Sequence, residues 1–154
     1  MTTIASSPAS GLSESSPSVQ AYLQIMQGVI NRMATNSASC KAWCITLVSA
    51  ILVIVADKGK PNYAYIGLLP TVLFLALDAY YLALERAFRA SYNDFVKKVH
   101  QGGALLEDLF AVVPEGKQSA HQVAALASFS VWGFYGLLAL LIELTRSLVL
   151  KHAA

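Results

Sequence analysis

The first hydrophobic pattern along the chain is an amphipathic stretch from about residue 18 to 37. Apolar side chains recur there every three or four positions, while glutamines, an asparagine and one arginine fill the opposite face. This period predicts an α-helix that begins at Ser18 and packs against a neighbouring helix. The short loops of the chain offer little to cover such a stripe, so it also predicts a contact between copies of the chain. The stripe consists of Val19, Tyr22, Leu23, Met26, Val29, Ile30 and Met33.

Three long uncharged runs follow, and each predicts a transmembrane helix. The first covers residues 42–56, the second covers 61–77 and resumes after Asp78, and the third covers 122–142. Crossing the hydrocarbon core takes about 20 apolar residues. The first run reaches that length if Lys41 extends outward to the membrane surface. We therefore expect spans at about 40–57, 62–85 and 122–145.

The segments around these runs are more polar. Residues 1–17 are rich in serine and proline and contain no basic stretch followed by an apolar core, so they predict a disordered tail rather than a signal peptide. Residues 57–62 predict a tight turn. We expect the second transmembrane helix to continue into water until Gly102 and Gly103 end it. Residues 104–113 then predict a short amphipathic helix, with Leu105, Leu106, Leu109 and Phe110 turned inward.

Together these elements predict an all-α fold. Residues 18–154 are expected to form one integral membrane helical bundle, with an N-terminal amphipathic helix and about three transmembrane helices. Lysine and arginine beside the membrane resist translocation. With the N-terminus and segment 86–121 in the cytoplasm, seven such residues lie inside and four outside, which favours this orientation in a bacterial inner membrane. If the third run does not cross, the count becomes nine against two, but its length favours a full span.

Composition agrees with a membrane protein and excludes several other classes. The chain is 56% apolar and 13% charged, against about 25% charged in a soluble domain. The net charge of +2 is too small to indicate binding of duplex DNA. Cys40 and Cys44 lie one helical turn apart, where a disulfide fits poorly, and the histidines are scattered, so no disulfide, metal site or cofactor is predicted. The sequence contains no recognisable catalytic motif, and an enzyme is not expected.

Asp78 is the most informative polar residue in the predicted spans. An ionised aspartate inside a bilayer is costly unless it meets water, a cation or a hydrogen-bond donor. One hypothesis makes Asp78 a pore-lining or gating carboxylate, and the other makes it an interfacial residue bonded to a tyrosine or a backbone group. Trp132, Phe134 and Tyr135, near the middle of the third span, allow a similar choice between helix packing and a hydrophobic constriction of a pore.

A basic stretch interleaved with aromatic residues follows the second span. Its charges and rings can bind an anionic messenger or a nucleotide strand. They can also lie against anionic lipid headgroups on the cytoplasmic side, which is the interpretation we favour. The basic residues concerned are Arg86, Arg89, Lys97 and Lys98.

Three short stretches stand out in combination with the aromatic residues of the third span. They are 30–33 with Asn36 and Ser37, 41–43 with 46–48, and 77–82 with 85–89. This order resembles a family of small bacterial membrane proteins, with the match covering about residues 20–92. The architecture is similar to SLATT domains and to the membrane effector of the Hailong system, which act in anti-phage defence beside enzymes that make nucleotides.

The resemblance implies an effector that oligomerises, opens pores and kills the infected cell. A tetramer is the first expectation. Its ligand would be a nucleotide or oligonucleotide messenger from a neighbouring nucleotidyltransferase.

These observations support two main hypotheses about function. A chain with so few helices cannot enclose a polar pathway alone, so the first hypothesis is a homo-oligomeric pore or ion channel, gated and active in bacterial anti-phage defence. The alternative is a non-conducting sensor or anchor that docks a cytoplasmic partner through residues 18–37 and 86–121. A membrane enzyme is the weakest hypothesis.

Overall fold

The computed structural model describes residues 12–114, 116 and 118–153 of the chain, and all regular structure in this part is helical. This confirms the predicted all-α fold. Three of the helical segments, Pro17–Lys58, Pro61–His100 and Phe129–Lys151, are long and apolar enough to cross a membrane. The predicted disordered tail lies mostly outside the described residues, as do Glu115 and Lys117. The helices are α1 (Pro17–Lys58), α2 (Leu68–His100), α3 (Gln118–Leu126) and α4 (Phe129–Ala153), with 3-10 helices at Pro61–Gly67 and Leu106–Asp108.

Helix α1 is continuous over 42 residues and joins the predicted amphipathic helix to the first predicted span. It begins one residue before the predicted start, because Pro17 occupies the first turn, where a missing N–H costs no helical hydrogen bond. It ends at Gly59, whose left-handed φ of 60° closes the last turn through a bond to the Ala56 carbonyl. Residues 37–41 contain neither glycine nor proline, so nothing interrupts the helix where the polarity of its surface changes.

Helices α1 and α2 form a long antiparallel hairpin. The Tyr22 ring lies edge-on to Phe95 with centroids 4.6 Å apart, Ser37 bonds Asp78, and the Cys44 sulfur approaches the Pro70 carbonyl at 3.8 Å. The contacting residues therefore have increasing numbers on α1 and decreasing numbers on α2, which shows that the two helices are antiparallel. We call residues 17–41 with 85–114 the polar half of the molecule, and residues 42–84 with 129–151 the apolar half.

Helix α4 completes the core of the apolar half, and its start corrects the sequence prediction. Val131, Tyr135 and Ile142 are buried against α1 and the second helical segment. The predicted span at 122–145 is interrupted at residues 127 and 128, so that α3 and α4 are separate helices. Ser128 occupies the N-cap position of α4, where its backbone carbonyl accepts the N–H groups of Val131 and Trp132 in the first turn, and serine is favoured at N-caps.

Three segments of the apolar half meet closely at Gly67. A Cβ atom added at Gly67 would lie 3.3 Å from the Ile142 Cδ1 atom and 3.8 Å from a methyl group of Val48. Val48 and Ile142 are themselves buried. The small residue at 67 therefore lets the 3-10 helix Pro61–Gly67 approach α1 and α4 closely.

The predicted helix at 104–113 is wrong. Only residues 106–108 form a turn of 3-10 helix, and the Asp108 carboxylate accepts the Leu105 N–H at 2.9 Å. This local bond competes with helical pairing, and Phe110 follows in a left-handed conformation with φ of 63°. Leu105, Leu106 and Phe110 are consequently exposed, while Leu109 is half-buried.

Candidate functional sites in the helical hairpin

Asp78 is completely buried between α1 and α2. The Ser37 hydroxyl donates to one carboxylate oxygen, and the Lys41 ammonium lies 2.5 Å from the other. Ser37 and Lys41 are four residues apart, so both project from the face of α1 that meets α2. The charge of Asp78 is therefore neutralised inside a single chain.

Helix α4 adds a tyrosine to this group. The Tyr135 hydroxyl donates to the Phe74 backbone carbonyl at 3.0 Å and lies close enough to Asp78 to interact with its carboxylate. Tyr135 is 2% exposed. Ser37, Lys41, Asp78 and Tyr135 thus link all three candidate spans, and we call these four residues the polar cluster.

The polar cluster changes two expectations from the sequence. Lys41 turns inward to Asp78 instead of extending outward to the membrane surface, because a buried carboxylate without a partner would be strongly destabilising. Asp78 was a candidate pore-lining carboxylate, but within the chain it faces the helix interface. Its partners on α1 are Lys41 and Ser37, and a tyrosine of α4, Tyr135, lies beside it.

The three aromatic residues of the third predicted span do not converge on one constriction. Tyr135 is buried, and the half-buried Phe134 packs edge-on against it with centroids 4.9 Å apart. Trp132 points away from the core and is 61% exposed. Tyr135 and Phe134 therefore serve helix packing, and Trp132 belongs to the outer surface.

The apolar stripe of residues 19–33 is covered by the chain's own α2. Val19, Tyr22, Met26 and Ile30 are buried, and the first three form a core cluster with Phe95 and Val99. Leu23, Val29 and Met33 are half-buried. The part of α2 beyond the predicted span covers this stripe. The lack of a cover within the chain, which predicts an oligomer contact from the sequence, is therefore not found.

The opposite side of α1 carries a second pattern, which the sequence analysis missed. In the apolar half, this surface consists of small and hydroxylated residues followed by Val53, which is 69% exposed, and the Thr46 hydroxyl donates to the Ala42 carbonyl at 2.8 Å. The three- and four-residue spacing of alanine, threonine and serine was the signal available in the sequence. We call this surface the outer face of α1; it comprises the exposed residues Thr35, Ser39, Ala42, Thr46, Ser49 and Val53.

The outer surfaces of α2 and α4 are very different from the outer face of α1. They expose large apolar side chains, including Leu69 at 76% and Val72 at 65% on α2, and Leu140 at 64% on α4. Side chains of this kind suit contact with lipid tails. The apolar half therefore exposes bulky apolar side chains on α2, on α4 and on the flanks of α1, where Trp43 and Ile54 are exposed, and carries a narrow hydroxylated stripe along the outer face of α1.

The four basic residues that the sequence suggests for binding an anionic messenger or lipid headgroups have different surroundings. Arg89 pairs with Glu85 at 2.8 Å, and Lys98 lies 3.3 Å from Asp94 and 3.5 Å from Asp108. The hydrogen bond from the Leu105 N–H, with a smaller contribution from Lys98, holds the pKa of Asp108 below its usual value. Lys97 is exposed. Arg86 instead donates to the Ser128 hydroxyl at 3.2 Å.

An open groove of about 280 Å³ lies on the polar half between α1 and α2. Arg89 and the Tyr92 hydroxyl, which accepts a hydrogen bond from the Gln27 amide at 3.2 Å, contribute to its lining. Side-chain amides of Asn31 and Asn93 complete a mostly uncharged polar surface. This groove can offer hydrogen bonds to a partner but only one cationic group.

Comparison of the chain with protein-family models, curated proteins and solved structures gave no match. The assignment of a function therefore depends on the geometry of the hairpin. Its chemically distinctive features are the buried polar cluster and the outer face of α1.

Proposed function

We propose that the protein is an integral membrane protein that assembles into a homo-oligomeric pore, with the outer face of α1 turned toward the shared axis. The observation that carries the proposal is the exposure of Thr46 and Ser49 on a helix that is otherwise apolar enough to span the membrane. These hydroxyls interrupt an apolar surface that would otherwise suit lipid.

The contrast between the three outer surfaces supports this arrangement. Small residues let helices approach closely within a membrane, and hydroxyls can bond across the contact or to water in a pathway. The large side chains exposed on α2 and α4, such as Leu73 and Leu140, would face lipid. Three spans cannot enclose a pathway alone, so a symmetric ring is required.

In this proposal, Asp78 positions helices rather than lining the pore. Its ion pair with Lys41 fixes α1 against α2, and Tyr135 adds α4. The cluster therefore sets the direction in which the outer face of α1 points. A gating role remains compatible with this position, since any rotation of α1 would disturb the pair.

The biological setting that we propose follows from the resemblance described above. The pore would be a gated effector of bacterial anti-phage defence in the inner membrane, with a tetramer as the first stoichiometry to test. The polar half would lie in the cytoplasm, where a nucleotide or oligonucleotide messenger could reach it. Single cysteines at Asn62 and Gln101, probed with an impermeant thiol reagent on intact cells, test this orientation: labelling at position 62 alone is expected.

A non-conducting anchor is the second candidate, and the groove on the polar half favours it. Gln27, Asn31 and Asn93 there present hydrogen-bonding groups outside the apolar half. A cytoplasmic protein could dock on this surface without any pore. In that case the outer face of α1 would serve only contact between copies or with lipid.

Flux and cross-linking in one reconstituted system distinguish the two candidates. Single cysteines are placed at Ser49 and, as a lipid-facing control, at Leu140, in a chain with Cys40 and Cys44 replaced by alanine. We expect oxidative cross-linking between chains at position 49 and loss of ion flux after thiol modification there, with neither effect at position 140.

Equal cross-linking at the two positions would contradict the proposed arrangement. Cross-linking at position 49 without flux, under all candidate ligands, would instead support a non-conducting oligomer.

A further inference from the structure

A second cavity lies between α2 and α3, at the level of the polar cluster. This crevice has a volume of about 330 Å³ and is lined on the α2 side by Leu75, Ala76, Ala79 and Tyr80. Gln122 and Leu126 of α3 form the other wall. Its surface is mainly apolar, with polar groups only on Tyr80 and Gln122.

The surroundings of the crevice are those of a membrane surface. Val123 is 67% exposed and Phe129 is 88% exposed on the segment that includes α3 and the start of α4. Leu77 of α2, which is not part of the crevice lining, is also exposed. Apolar side chains in such number are unfavourable in water but suit the boundary between headgroups and acyl chains.

Beyond the crevice lining, farther along α2, lies the guanidinium of Arg86. Arg86 lies seven residues after Ala79, on the same face of α2 and about 10 Å farther along the helix. Among the residues that the structure describes, no carboxylate pairs with Arg86; its neighbour Glu85 pairs with Arg89 instead. The Arg86 guanidinium donates to the Ser128 hydroxyl, whose own hydrogen can be donated to an anion.

From this geometry we infer that the crevice binds an anionic phospholipid of the surrounding membrane. One acyl chain occupies the apolar space between α2 and α3, and the phosphate lies at Arg86 and Ser128. A guanidinium matches the oxygen atoms of a phosphate with two parallel hydrogen bonds. A lipid with net negative charge is preferred because a zwitterionic headgroup would bring its own cation to a site that already has one.

Native mass spectrometry of the full chain in a mild detergent tests the site. The protein is titrated with phosphatidylglycerol or phosphatidylcholine of identical acyl chains, and retained lipids are counted. We expect phosphatidylglycerol to bind at lower concentration. Arg86→Gln should weaken its binding about fivefold, which is the contribution expected of one basic residue near an anionic membrane surface, and should leave phosphatidylcholine binding unchanged.

Two controls separate this site from general attraction to charge or to apolar surface. Lys97→Gln removes an exposed charge from the same helix and should not change the lipid preference. Ala76→Phe fills the crevice from its exposed rim and should weaken binding of both lipids, whereas Ala124→Phe places the same ring on α3 outside the crevice lining and should not.

Equal binding of the two lipids by the parent protein would overturn the inference. So would equal effects of Arg86→Gln and Lys97→Gln, or unchanged lipid binding by Ala76→Phe. Circular dichroism of each variant checks that its helices are intact, and the Arg86 and Ala76 variants test the two ends of the site independently.

Discussion

The two halves of the α1–α2 hairpin have similar inner faces but opposite outer faces. Tyr22 and Met26 of the polar half are as deeply buried as Cys44 and Val48 of the apolar half. Outside, the polar half exposes residues such as Gln24, whereas the apolar half exposes large side chains, including Trp43, Leu47 and Ile54. Helix pairing is therefore determined by the inner face, and the surrounding medium by the outer face.

The polar cluster lies where these halves meet. Lys41 is the last charged residue before the apolar section of α1, and its partner Asp78 interrupts the apolar run of α2. The cluster thus marks one edge of the section that we assign to the membrane. Substitutions at this boundary, on the outer surface and on the inner face test how the two halves differ.

The largest expected effect comes from separating the ion pair. Lys41→Met leaves the carboxylate of Asp78 buried without its cation and should lower the free energy of unfolding by about 3–5 kcal/mol. Combining Lys41→Met with Asp78→Leu removes both charges and should restore most of that loss. Denaturant unfolding in detergent micelles measures both variants.

If Lys41→Met costs less than about 1 kcal/mol, the pair contributes no more than an exposed salt bridge. The boundary between the halves would then not depend on it.

The second largest effect is expected from adding a charge to the outer surface, which should be costly in the apolar half and tolerated in the polar half. Leu73→Arg, on the exposed side of α2 in the apolar half, should cost about 2.5–3.5 kcal/mol on insertion if it faces the centre of a bilayer. Gln24→Arg, on the polar half, should change stability by no more than about 0.5 kcal/mol. Membrane insertion is measured by glycosylation mapping, and equal tolerance of the two substitutions would place both halves in the same medium.

Matched cavities on the inner face should give a smaller difference. Val19 and Val48 are both almost completely buried, at 1% and 0% exposure. Val19→Ala should lower the free energy of unfolding by about 2 kcal/mol, because it removes two methyl groups that are buried away from water and leaves a cavity. Val48→Ala should lower it by about half as much. In lipid, burying a methyl group does not remove it from water, so the variant loses mainly packing contacts.

Denaturant titrations with the same probe measure the two valine variants side by side. A larger loss for Val48→Ala than for Val19→Ala would contradict the assignment of the apolar half to lipid.

The smallest expected effect concerns the loop that caps the polar half. The Tyr22 hydroxyl donates to the Ala111 carbonyl at 2.9 Å, so Tyr22→Phe should cost about 1 kcal/mol. Hydrogen exchange of residues 104–113 should become faster while the exchange of α4 stays unchanged. Uniform acceleration along the chain would show that the bond stabilises more than the loop.

The sequence predicts the polar half better than the apolar half, and the difference has a physical cause. Around Val19 and Met26 the alternation of apolar and polar residues reveals which face of the helix is buried. In residues 42–56 every face is apolar, so the period carries little information about which face packs inside. The exposed hydroxyls of Thr46 and Ser49 are a weak signal against that background.

Bonds between individual residues, one long-range and two local, explain the remaining differences. Lys41 and Asp78 are 37 positions apart, and only the register of the hairpin brings them together. The break before α4 falls at Ser128, whose carbonyl accepts the first N–H groups of that helix, and in the loop at 104–113 the Asp108 side chain accepts a backbone N–H. None of these three bonds leaves a periodic pattern in the sequence.

The central claim is that the outer face of α1 meets other copies of the chain in the membrane, and distances between spin labels test it most directly. Labels are attached singly at Thr46, on that face, and at Leu140, on the exposed surface of α4, in protein reconstituted into lipid nanodiscs. Pulsed electron resonance then measures the distances between chains. The proposed assembly predicts shorter distances at position 46 than at position 140; longer distances at 46, or the absence of any interchain distance at either position, would contradict it.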